Sequence, residues 1–82
     1  MDKILLLEDD VSLIDGLRYS LQKNGFAVEI ARTVGEAIKR LPDLAQYNLL
    51  LLDVTLPDGT GFSVCEQARA RAPQIPIIFL TA

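Results

Sequence analysis

The sequence predicts an α/β fold: a doubly wound parallel sheet, built as βαβαβαβ, with an expected strand order of 2-1-3-4. Three observations carry this. Short apolar runs recur at residues 4–7, 48–54 and 77–80, as strands covered on both faces should. Between the runs lie segments whose apolar residues recur at helical spacing. Glycines and prolines punctuate the joints. Strands separated by helices imply parallel pairing, right-handed crossovers and helices on both faces.

Each element has its own signal. Ile4 to Leu7 is the first strand. From Asp10 the period changes: Leu13, Leu17 and Leu21 recur every four residues with Ile14 beside them, one apolar helical face expected to be core. Asp10 can cap that helix, and Asn24-Gly25 can end it with a left-handed residue. Residues 26–30 alternate and read as the second strand. Thr33-Val34-Gly35-Glu36 is a capping box, so a helix runs from there to about Leu41, with Pro42 after its end. The third strand covers 48–54. Residues 61–71 are helical in pattern, with Phe62, Cys65 and Ala68 inward. Asp58-Gly59 reads as a turn. Pro73 and Pro76 bracket another turn before the fourth strand, 77–80.

Composition narrows the function classes. The chain has 82 residues, half of them hydrophobic, which fits one small globular domain. A net charge of −3, with no basic stripe, gives no electrostatic case for nucleic-acid contact by this segment. No apolar run approaches the roughly 20 residues of a membrane helix, and the start lacks signal-peptide regions. One cysteine and no histidine exclude an internal disulfide and zinc-type sites. A cytoplasmic location fits, and any metal must be hard and oxygen-bound. Lys3, Lys39 and Arg40 read as solvated surface, and Cys65 as core packing.

In sheets of this kind ligands bind beyond the carboxyl ends of the strands. Polar residues gather there: Glu8, Asp9 and Asp10 after the first strand, Asp53 at the end of the third, Thr81 at the end of the fourth. Asp53 directly follows four leucines, so the most apolar run in the chain delivers a carboxylate. Close carboxylates repel by about 1 kcal/mol per pair in water and by more at lower dielectric. A retained proton or a bound cation relieves this. Magnesium suits such a site, and a carboxylate beside it is a plausible nucleophile toward phosphorus. Thr81 offers a hydroxyl to a phosphate oxygen. Asp10 is assigned to capping, not to metal.

The stretches KILLLEDD, LLLLDVTLPDGTGF and IPIIFLTA resemble, in order along the whole chain, a response-regulator receiver domain of bacterial two-component signalling. The pattern is a paired acid, then an aspartate with proline four and glycine eight residues later, then Thr-Ala. The resemblance implies a flavodoxin-like receiver fold with Asp53 as phosphoacceptor. It implies Mg2+ held by Glu8, Asp9, Asp53 and the backbone carbonyl of Thr55. It also implies Thr81 as the switch hydroxyl and the Ala82 backbone N–H as a phosphoryl contact. A sensor histidine kinase is the implied donor. The chain is similar to the subfamily with a winged-helix DNA-binding output domain, which would lie in a longer parent and regulate transcription. Such a domain accepts and slowly loses phosphate and makes no small-molecule product, so it is not expected to be an enzyme.

Against that pattern, residues 1–82 are expected to be a receiver fragment without the family's last helix-strand-helix portion and its phosphate-pairing lysine. The fourth strand is then an open edge, which predicts self-association. Two other readings stand beside this one. One is a receiver-shaped interaction scaffold without phosphorylation. The other is a haloacid-dehalogenase-type phosphatase, whose acid two residues beyond the nucleophile is here Thr55.

Overall fold

The computed structural model of the chain describes residues 2–80. Strand β1 (Lys3–Leu7) is followed by helix α1 (Val11–Lys23), β2 (Ala27–Ala31), α2 (Val34–Arg40) and a 3-10 helix (Leu41–Gln46). Then come β3 (Leu49–Asp53), the two-residue strands β4 (Thr55–Leu56) and β5 (Gly59–Thr60), α3 (Gly61–Arg71) and β6 (Ile77–Leu80). The main sheet is parallel, in the order β2-β1-β3-β6. This is the expected 2-1-3-4, with β6 as the fourth strand of the main sheet. β4 and β5 form a separate antiparallel hairpin, Thr55 opposite Thr60 and Leu56 opposite Gly59.

Alternation along the central strands splits the core in two. Leu5, Leu7, Leu50 and Leu52 face one side and pack with Val34, Ala37, Val64 and Ala68 of α2 and α3. Ile4, Leu6 and Leu51 face the other and meet Leu17 and Leu21 of α1. Leucines on both sides explain the run at 49–52: each neighbour in the chain enters a different core. Full burial of each such side chain contributes about 1.5–3 kcal/mol. Among the described residues, no helix is long and apolar enough to cross a membrane.

Local signals account for most boundaries. The Asp10 carboxylate accepts from the Leu13 N–H at 3.1 Å and caps α1. Gly25, at φ +90°, ends α1, with its N–H donating to the Gln22 carbonyl and the Phe26 N–H to the Leu21 carbonyl. β2 sits one residue later than predicted.

Two side chains differ from expectation. Leu13 is exposed, and the buried residue of α1 is Ile14. The packed stripe is therefore Ile14, Leu17 and Leu21, and Leu13 turns toward the carboxyl edge of the sheet. Phe62 is also exposed, because α3 presents Gly61, Val64 and Ala68 inward. Its ring packs instead on Phe79 of β6, with centroids 5.0 Å apart. Pro42 follows the end of α2, as expected, and stands in the first turn of the 3-10 helix that comes next, where its missing N–H costs nothing.

Candidate functional site

β1 and β3 are adjacent and in register from Ile4–Leu49 to Leu7–Leu52, so the residues just beyond them share one edge. Glu8, Asp9 and Asp53 each offer a carboxylate oxygen there, and these atoms all lie within 4.8 Å of one another. They line a cavity of about 360 Å³ with Leu13, Val54 and Leu80, and Thr55 also borders it. The turned-out Leu13 thus becomes a wall of the site. Asp10 lines the cavity too, while its carboxylate caps α1.

The acids are held differently. The Glu8 N–H extends the ladder to the Ala31 carbonyl at 3.0 Å, which draws its side chain inside. Glu8 is 3% exposed, and its Oε2 accepts from the N–H groups of Asp9 (3.0 Å) and Asp10 (3.1 Å). Burial pushes its carboxyl above the ordinary value, the Asp10 and Asp9 amides pull it back, and the charge of Asp53 pushes it up again. Asp9 and Asp53 are half-buried. Asp53 Oδ1 accepts from the Val54 N–H at 2.8 Å. On the far side, Arg32 Nη2 donates to the Asp9 carbonyl at 3.0 Å and braces the acid turn from the end of β2.

The donor set fits a hard divalent cation. Three clustered carboxylates beside an open cavity match what Mg2+ takes, a few carboxylates with room for water or phosphate oxygens. Thr81 and Ala82 lie outside the described residues.

The loop after Asp53 is tightly determined. The Gly61 N–H donates to the Val54 carbonyl at 3.0 Å. A Cβ on Gly61 would stand 2.0 Å from the Asp53 carbonyl oxygen, so no larger residue fits without moving the backbone that carries Asp53. That is the physical demand behind a glycine eight residues after the aspartate. Two contacts were not legible beforehand: Arg32 on the Asp9 carbonyl, and the Asp58 carboxylate on the N–H groups of Val34 and Gly35. Both join residues more than 20 positions apart, and no local pattern marks them.

A family model described as the response regulator receiver domain matches residues 4–82. The transcriptional regulatory protein CreB of Escherichia coli is 40% identical over 85 residues, covering 99% of this chain and 35% of CreB. The chain spans about a third of the length of the curated relatives it matches. The non-phosphorylated HemR receiver domain from Leptospira biflexa superposes with a TM-score of 0.92 at 38% identity, over 100% of this chain and 65% of that one. TrrA from Thermotoga maritima, solved with Mg2+-BeF, has a TM-score of 0.92 at 30% identity, over 100% and 70%. TrrA has also been solved in complex with the histidine kinase ThkA.

Proposed function

The chain belongs to the response-regulator receiver family, and from that premise we propose that Asp53 is its phosphoacceptor. The observation that carries this is the cluster of Glu8, Asp9 and Asp53 at the carboxyl edge of the sheet, beside a cavity open to a donor. Glu8, Asp9, Asp53 and the Thr55 carbonyl are the residues that would hold Mg2+. When bound, the ion offsets negative charge on the transferring group. Glu8 and Asp9 hold their carboxylates beside Asp53, and Leu13, Val54 and Leu80 form the apolar side of the cavity.

The donor is the phosphohistidine of a sensor kinase. An Asp53 oxygen attacks phosphorus, the N–P bond breaks, and its electron pair returns to the imidazole, leaving an acyl phosphate on Asp53. Thr81 and the Ala82 N–H contact the phosphoryl group in this reading. The TrrA structures with Mg2+-BeF and with ThkA support it by family likeness. The acyl phosphate shifts the domain between two states, and a DNA-binding output domain in a longer parent reads that shift. The chain is then a cytoplasmic signalling acceptor without a small-molecule product. A phosphatase would need a free acid beyond the nucleophile, and Asp58 is instead engaged with α2.

The test is exposure of the 82-residue chain to acetyl phosphate with Mg2+, read by intact mass. One added phosphoryl group, absent in Asp53→Asn and absent with chelator, is the expected result. Unchanged mass in the wild type sinks the phosphoacceptor reading. Sustained turnover of a generic phosphate ester, lost in Asp53→Asn, replaces it with the phosphatase.

A further inference from the structure

Asp58 stands in the turn of the β4–β5 hairpin, three residues beyond Thr55. Its Oδ1 accepts from the Val34 N–H at 2.8 Å and its Oδ2 from the Gly35 N–H at 3.0 Å. These are the first two residues of α2, whose N–H groups have no partner within the helix. Thr33 Oγ1 accepts the third, from Glu36, at 3.1 Å. The first turn of α2 is thus completed jointly, by its own cap and by a carboxylate from the loop after Asp53.

That loop needs an anchor. Two paired residues on each side make a hairpin too short to hold itself. At its base, Gly61 closes onto the backbone of Val54 and Asp53. At its tip, Gly59 takes φ +152° and lies against the Val34 side chain, close enough that a Cβ would meet Cγ2 at 3.4 Å. Leu56 is buried in the same core as Val34. Among the described residues, Asp58 alone adds charged, two-point hydrogen bonding between the hairpin and α2.

We propose that Asp58 is a positioning residue for the Mg2+ site, its two hydrogen bonds to α2 holding the β4–β5 hairpin so that the Thr55 carbonyl stays aimed at the ion. This rests on the reading of Asp53 and Thr55 as parts of that site. A carbonyl ligand works only if its support keeps it within about 0.5 Å of its productive place. Support at one remove from a metal is typically worth 10–100-fold in affinity, and the contact here acts through three residues of backbone, so roughly tenfold is expected.

The experiment compares Asp58→Ala with Thr33→Ala by amide NMR. Thr33→Ala removes the helix's own cap and leaves the hairpin anchored, so it controls for damage to α2. Two quantities are read: exchange of the Gly61 amide without metal, and Mg2+ affinity from the shifts of Asp9, Val54 and Thr55. Asp58→Ala speeds Gly61 exchange and weakens Mg2+ roughly tenfold, while Thr33→Ala leaves both near wild type. Asp58→Asn, with one acceptor left, falls between and carries the test if Asp58→Ala does not fold. Unchanged Gly61 exchange in Asp58→Ala overturns the proposal without reference to metal. Wild-type Mg2+ affinity in Asp58→Ala, or an equal loss in Thr33→Ala, overturns the role of Asp58 alone. A wild type with no Mg2+ response overturns the site reading and this proposal together.

Discussion

Glu8 shows how one residue's environment sets a pH dependence. It is buried against its own turn and faces Asp53, so its folded carboxyl keeps a proton that the unfolded chain, near 4.5, releases. The native state therefore binds more protons than the unfolded state between 4.5 and the raised folded value. Across that window stability falls as pH rises. A tenfold difference in proton affinity between the two states corresponds to roughly 1.4 kcal/mol. In chelator, the urea midpoint of the wild type is expected to decline from about pH 4.5 upward, and that of Glu8→Gln to lack this decline. Parallel pH curves for the two proteins would contradict it. Mg2+ should flatten the wild-type curve, because a cation among the acids favours the ionised form.

Elements are tied together by a second acid, far from the site. Glu29 of β2 receives Lys3 Nζ from β1 at 3.3 Å, Arg40 Nη1 from the end of α2 at 3.0 Å, and the buried Tyr47 hydroxyl beyond the 3-10 helix. Lys3 also donates to Gln46 at 2.8 Å. Two cations that the sequence presents as plain surface are thus parts of one network. Tyr47, first, and then Lys3 hold the Glu29 carboxyl below its ordinary value, while burial and Glu29 push the Tyr47 hydroxyl up to about 12. The sign is opposite to that of Glu8: the stabilisation is present above 4.5 and is lost as pH falls through the lowered folded value. Tyr47→Phe should cost about 1.5 kcal/mol at neutral pH, the lower end for a hydrogen bond to a charged group. That difference, measured by urea unfolding, should shrink in acid. No neutral-pH difference would show that Lys3 and Arg40 suffice for Glu29.

At the scale of the molecule, the main sheet has two edge strands among the described residues, β2 and β6. β6 carries Ile78, 52% exposed, beside the half-buried Ile77, Phe79 and Leu80. An apolar edge with free backbone groups is a template for another strand. The 82-residue chain is therefore expected to associate, with average mass in light scattering rising with concentration, and Ile78→Lys should reduce the rise. Constant monomer mass across the range would contradict this.

The sequence by itself determined the order of strands and helices, the parallel sheet, and the placing of Glu8, Asp9 and Asp53 at one edge. These depend on local periodicity and on one topological rule, both of which survive without knowing any distance. Only the tertiary structure decided which residues brace the acids and which side chains turn away from the core. Asp58 meets Val34 across 24 positions, and Arg32 meets the Asp9 carbonyl across 23. Such pairs form only after the crossovers have brought the loops to one edge. Leu13 and Phe62 escaped the helical pattern for a related reason. Each lies close to the packed stripe but off it, and the angle at which its helix meets the sheet chooses Ile14 and Val64 instead. The aspartate after four leucines was legible because a buried strand must end somewhere, and its end is where ligands begin. What keeps that aspartate's loop in place was not, because it is held from a helix earlier in the chain.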